Sequence, residues 1–206
     1  MIINQIKVGF DNFSYLIYCE ETKKAAILDP GYDTDKLIRL LSSNKLTLEY
    51  IIATHYHADH TSGIQKIKTL YPSAKIIASK IDGLKLQSKI DIKIKEDSIL
   101  KLGKINLNFI LTPGHTPGSI CIVVDNKALL TGDTLFIGDC GRTDLSGGDL
   151  VEMFKTLQEK IMPLPDHLIV YPGHDYGDKP FDTIGNQKIT NKTLLASNID
   201  DFSKIP

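Results

Sequence analysis

Tryptophan is absent, and cysteine occurs only at positions 19, 121 and 140, at unrelated spacings. Three cysteines so placed offer neither a disulfide framework nor a Cys-x-x-Cys metal knuckle, which fits a reducing compartment. No apolar run approaches the ~18 residues of a membrane span. The first residues, Met1-Ile2-Ile3-Asn4-Gln5, do not read as a signal peptide. A cytoplasmic protein is therefore expected, with no membrane partner. Charge of one sign is also missing: 24 Lys and Arg face 25 Asp and Glu, for a net charge of −1. The lysines are dispersed rather than striped, so there is no footprint for nucleic acid. Low-complexity segments and Ser/Gly linkers are lacking as well. With 42% hydrophobic residues, the chain has enough apolar material for a single domain over residues 1–206. A homodimer is compatible with the sequence but nothing in it requires one.

Histidine is scarce too, yet it is concentrated. Of six histidines, three fall in Thr54-His55-Tyr56-His57-Ala58-Asp59-His60. That segment follows Tyr50-Ile51-Ile52-Ala53, an apolar run too short for a globular helix and suited to a buried strand. His55 and His57, two apart, share a side in extended backbone. Asp59 and His60 stand where a helix begins, since Ile64, Ile67 and Leu70 then recur at helical spacing. A carboxylate in that first turn gains from the helix dipole. A histidine-rich surface loop would look similar, but three later segments supply matching groups. Leu111-Thr112-Pro113-Gly114-His115, Ala128-Leu129-Leu130-Thr131-Gly132-Asp133 and Leu168-Ile169-Val170-Tyr171-Pro172-Gly173-His174 each run from apolar strand to Gly or Pro to an ionisable side chain. Only His167 falls outside this pattern, and it reads as an exposed loop residue.

The set suits two divalent metal ions. His55, His57 and His115 offer three neutral nitrogens, a common open set for catalytic zinc. Asp59, His60 and His174 would hold a second ion, with Asp133 between the two. Such pairs sit roughly 3.5–4 Å apart and lower the pKa of bound water to about 7.

Further strands are predicted over 4–9, 15–19, 25–28, 75–78, 105–111, 119–124, 127–131 and 168–170, and helices over 34–42, 62–70, 149–161 and 183–188. Asp125-Asn126 is a hairpin turn candidate. In 149–161, Leu150, Phe154, Leu157 and Ile161 form a one-sided apolar stripe.

The four-part signature resembles the metallo-β-lactamase superfamily from about Asn12 to Asn191. The resemblance implies an α/β fold: a four-layer αβ/βα sandwich, two mixed sheets face to face with helices outside. Asp29, after the strand ending at Leu28, would orient a ligand histidine there, though by itself it also reads as a turn residue. The stretch Gly132-Asp133-Thr134-Leu135-Phe136-Ile137-Gly138-Asp139-Cys140-Gly141-Arg142-Thr143-Asp144 and the run Tyr171-Pro172-Gly173-His174-Asp175-Tyr176 are similar to the glyoxalase II and persulfide dioxygenase branches. So is Thr183-Ile184-Gly185 with Asn191. At this length, a separate C-terminal helical domain that binds glutathione is not expected.

That resemblance implies an enzyme acting on a small-molecule thiol conjugate. On the glyoxalase II pattern, a metal-bound hydroxide cleaves a thioester of glutathione or another small thiol. Asp59 and Asp133 would be the catalytic carboxylates, and zinc the default metal. On the persulfide dioxygenase pattern, His55, His115 and Asp133 hold one Fe(II), at which dioxygen oxidises a glutathione-type persulfide to sulfite. Arg142 and Tyr176 match thiol-contacting positions of the family. Arg142 alone also reads as a surface arginine, Tyr176 as a half-buried aromatic, and Cys140 as a small packed residue or a thiol near the site. A structural zinc protein is disfavoured because such sites are closed and cysteine-rich.

Overall fold

A computed structural model describes residues 1–205. Pro206, the last residue of the expected domain, lies outside the described residues. Twelve strands form two six-stranded sheets. The first runs in chain order: β1 (Ile2–Val8), β2 (Asn12–Tyr18), β3 (Lys24–Leu28), β4 (Thr47–Ile52), β5 (Lys75–Ser79) and β6 (Ile92–Ile94). The β1–β2 and β2–β3 pairs are antiparallel, the rest parallel. The second contains β7 (Ile99–Leu102), β8 (Ile105–Leu111), β9 (Ile120–Val124), β10 (Ala128–Gly132), β11 (Ile169–Pro172) and β12 (Asp182–Thr183), also in chain order across the sheet. It is antiparallel except for β10–β11.

Both faces of the central strands are buried, so these strands read as continuous apolar runs rather than alternating ones. The pleat sorts neighbours to opposite sides. Tyr15, Ile17, Ala26, Leu28 and Ile52 face Phe109, Ile120, Ile122, Val124 and Leu130 across the gap between sheets. Leu16, Ala25, Ile27 and Ile51 turn outward beneath α1 (Thr34–Ser43) and α3 (Ile64–Leu70). Cys121, Val123, Leu129 and Val170 turn the other way, beneath the helix that begins at Leu150. This is the expected layered sandwich. Truncating a central side chain such as Phe109 to Ala would cost about 3–5 kcal/mol.

Local signals held at most places. Asp125 and Asn126 both have positive φ, 47° and 52°, as a tight primed turn between β9 and β10 requires. The helix expected over 62–70 is preceded by a separate turn of helix, α2 (Ala58–Thr61), which contains Asp59 and His60. The helix expected over 149–161 is α4 (Leu150–Lys155) continued by a π-helical stretch, Thr156–Ile161. Asp149 caps it, accepting from the backbone N–H of Val151 and Glu152. The helix expected over 183–188 is α5 (Ile184–Thr190), and α6 (Ile199–Phe202) closes the described chain. Sheet-edge strands β6, β7 and β12 were not predicted: they are two to four residues long and partly exposed, too short for a periodicity. Among the described residues no helix is long and apolar enough to cross a membrane.

Candidate metal centre

Five loops leave the sheets at one edge. Asp29 follows β3, His55 and His57 follow β4, His115 follows β8, Asp133 follows β10 and His174 follows β11. Backbone bonds stitch the two sheets together there. Ile120 N–H donates to Thr54 O (2.9 Å), and Phe13 N–H donates to Gly173 O (2.8 Å). Gly173 is required at this junction, because a Cβ there would collide with the Asp133 carboxylate.

The hydrogen bonds fix how four of the imidazoles are oriented. Asp29 Oδ2 accepts from the Thr54 hydroxyl at 2.7 Å, so Thr54 Oγ1 is left to accept from His55 Nδ1 at 3.0 Å. His60 Nδ1 donates to Asp29 Oδ2 (3.1 Å), His115 Nδ1 to the carbonyl of Arg142 (2.7 Å), and His174 Nδ1 to Asp11 Oδ1 (3.2 Å). Each partner is an acceptor with no proton to offer. The four Nε2 atoms are thereby turned, as bare lone pairs in the neutral rings, toward one another.

The lone pairs gather in two places. His115 Nε2 lies 2.9 Å from His57 Nδ1, and His55, His57 and His115 together can hold one ion. His60 Nε2 lies 3.1 Å from His174 Nε2, and these two with Asp59 form a second group. Nitrogens bound tetrahedrally at about 2.0–2.1 Å sit about 3.3 Å apart, close to both separations. Asp133 spans the groups, 3.5 Å from His115 Nε2, 3.2 Å from His174 Nε2 and 3.3 Å from His60 Nε2. His55 Nε2 and Asp133 Oδ1 are buried with no hydrogen-bond partner. Buried acceptors crowded against acceptors are costly unless a cation sits among them, so these residues fit metal ions.

Electrostatics agree. Burial holds the His55 imidazole well below its ordinary value, and His57 is lowered chiefly by burial too. Burial also opposes charge on His60 and His174, but Asp133 outweighs it, helped by Asp29 at the first and Asp59 at the second. His60 is raised well above the usual range and His174 to about 9. Burial would raise the Asp133 carboxyl, yet the imidazoles, His60 foremost, hold it far below the carboxylate range. The cluster calls for positive charge, and protons supply it when nothing else does.

A cavity of about 720 Å³ opens over the cluster, within the range of small-molecule sites. Arg142 and Tyr176 both line it, as does Cys140. Tyr176 stacks on His174 (centroids 4.8 Å, planes 12° apart) and meets Phe136 edge-on. Arg142 does not stand free: its Nε and Nη2 donate to the two oxygens of Asp144 at 2.6 and 2.7 Å. Burial raises the Cys140 thiol to about 12, so it is a packed side chain rather than a nucleophile. His167 is exposed and bonds the Asn126 carbonyl at 2.9 Å, away from the cluster.

Three residues at the centre had no sequence signal. Asp11 bonds His174, Asn12 Nδ2 donates to Asp59 Oδ2 at 2.9 Å, and Asp82 reaches two histidine loops from a 3-10 turn (Asp82–Leu84). All act across long sequence separations.

Residues 8–174 match the profile of the metallo-beta-lactamase superfamily. The mitochondrial persulfide dioxygenase ETHE1 of Homo sapiens is 32% identical over 195 residues, covering 94% of this chain and 75% of the relative. A hydroxyacylglutathione hydrolase of Polaromonas sp. is 36% identical over 181 residues, covering 85% and 67%. The crystal structure of ETHE1 from Myxococcus xanthus superposes with a TM-score of 0.89 at 26% identity, covering 100% of this chain and 92% of that one. Hydrolases and dioxygenases thus both stand among the relatives, and with the profile spanning the histidine and aspartate loops, the chain belongs to the metallo-beta-lactamase superfamily.

Proposed function

We propose that the protein is a metal-dependent hydrolase of the glyoxalase II type, cleaving the thioester of a small-molecule thiol conjugate. His55, His57 and His115 would hold one divalent ion and Asp59, His60 and His174 a second, with Asp133 shared. The observation that carries this is the second trio: His60 and His174 direct their Nε2 atoms at Asp59 and Asp133 beside the first trio. With a single ion in the three-histidine pocket, protons on His60 and His174 would have to supply the positive charge that the second trio calls for. Zinc is the default for these ligands. Bound divalent ions supply Lewis acidity and bring the pKa of water down to about 7.

The chain's own groups do the rest. Asn12 engages Asp59 Oδ2, leaving Oδ1 to accept a hydrogen bond from the attacking water and hold its lone pair toward the acyl carbon. Asp29, Asp11 and the Arg142 carbonyl keep His60, His174 and His115 in register through the reaction. Phe136 and Tyr176 give the acyl-thiol an apolar wall that excludes bulk water. Water adds to the carbonyl, the C–S bond breaks, and a carboxylate and a thiolate leave, the water's two protons passing to solvent.

A second reading is favoured by the placement of two of the three buried orphan acceptors, the third being Asp82 Oδ1. His55 Nε2 and Asp133 Oδ1 both belong to the set His55, His115 and Asp133, which suits one Fe(II), and persulfide dioxygenases are among the relatives. Two assays separate the readings. Two zinc equivalents per chain with thiol release from S-lactoylglutathione or another acyl-thiol support the hydrolase. One iron per anaerobically purified chain, with oxygen uptake on glutathione persulfide and no thioester cleavage, replaces it.

A further inference from the structure

Asp82 is 1% exposed, and no ligand pattern includes it. It sits on the 3-10 turn after β5, in the first sheet's half of the molecule, with its own N–H held by Ser79 Oγ at 3.1 Å. Its Oδ2 accepts from the peptide N–H of Tyr56 (3.2 Å), between His55 and His57 in the chain. The same oxygen accepts from the Thr116 hydroxyl (2.6 Å), next to His115 and in the second sheet's half. Its Oδ1 is pressed against Gly118, where a Cβ would collide with the Asp82 and Ser79 side chains. Ser119 Oγ lies 2.7 Å from Thr116 Oγ1 and completes the cluster. One carboxylate thus joins the two loops that carry all three histidines of the first pocket. Nothing comparable links it to His60 or His174.

Burying a carboxylate is unfavourable unless hydrogen bonds compensate it. At Asp82 burial pushes the carboxyl upward, against the Thr116 hydroxyl and the Tyr56 N–H, both on Oδ2, while Oδ1 is buried without a hydrogen-bond partner. A fold needing only apolar packing there would do better with a leucine.

We propose that Asp82 is a positioning residue for the three-histidine pocket, fixing the loops of His55 and His57 against that of His115 through Tyr56 N–H and Thr116 Oγ1. This rests on the reading that those histidines hold an ion, and it does not depend on the reaction. Truncation would let the two loops separate and spoil the nitrogen spacing of the three-histidine pocket.

The test is zinc binding against a chromophoric chelator, in a His174→Ala background so that only the three-histidine pocket retains all its ligands. Asp82→Ala is expected to weaken zinc by about 10–100-fold, the usual range for groups that orient ligands. Asp82→Asn keeps one acceptor oxygen and should fall between. Thr116→Val removes only the hydroxyl, keeps the side-chain shape, and should give a smaller loss of zinc, with metal-free melting lowered only by the one buried hydrogen bond it deletes. Cobalt(II) absorption of each variant reports the geometry directly, and should broaden and shift in the order Val, Asn, Ala. Should Asp82→Ala fail to fold, Asp82→Asn and Thr116→Val still decide. Unchanged zinc affinity and cobalt spectra in those two would overturn the proposal while leaving the metal centre standing. Absence of zinc binding in the unmutated protein would sink both.

Discussion

Asp29 and His60 meet at 3.1 Å, each with its side chain 1% exposed, and the aspartate simultaneously accepts from the Thr54 N–H at 2.7 Å. A turn residue with φ of 49° is therefore also the anchor of a candidate ligand. Asp29→Asn keeps an oxygen for the Thr54 N–H and tolerates the left-handed backbone. It should leave folding largely intact while weakening metal by about 10–100-fold. Asp29→Ala strands buried donors at about 1–3 kcal/mol each and should lose several kcal/mol in urea unfolding. Equal metal affinity in Asp29→Asn would refute the orienting role.

Metal removal should change how stability depends on pH. In the metal-free protein His174 is raised to about 9 by Asp133 and Asp59, against the opposing effect of burial. Its folded-state pKa lies above the unfolded value, so its contribution is complete below about 6.5 and disappears as pH rises through 9. The melting temperature after chelation should fall across that window, whereas the zinc-loaded protein, its imidazoles already deprotonated, should stay nearly level. Parallel curves would contradict this.

Asp144 should govern how Arg142 treats anions. The pair is bidentate but well exposed, at 63% and 67%, so Asp144→Asn should change stability by less than about 0.5 kcal/mol. It leaves the guanidinium charge unmatched toward a carboxylate in the cavity. Tighter inhibition by free glutathione is expected in the variant, and Arg142→Ala should abolish the gain. Identical inhibition constants would show that Arg142 does not face the bound thiol.

Cys140, with its thiol raised to about 12 and half-buried, should resist iodoacetamide at neutral pH. Cys140→Ala should retain turnover within about twofold. A large loss, or rapid alkylation that stops activity, would mean that the thiol takes part in the chemistry.

The sequence by itself put forward the candidate ligands, and its resemblance to the metallo-β-lactamase superfamily implied the layered fold that the two six-stranded sheets show. His55, His57, Asp59, His60, His115, Asp133 and His174 each follow an apolar run, and local grammar of that kind is written in neighbouring residues. Strands buried on both faces, the Asp125-Asn126 turn and the Asp149-led helix are legible for the same reason, since propensity and periodicity act over a few positions. Asp29, which reaches His60 across 31 positions, was implied by the resemblance, but tertiary structure alone decided the other groups that brace the candidate ligands: Asp11 reaches His174 across 163 positions and Asp82 reaches Thr116 across 34. It also decided that Arg142 turns to Asp144 rather than standing open. Such contacts depend on how two sheets dock and where their loops come to rest, and no short-range pattern encodes a distance closed only by folding.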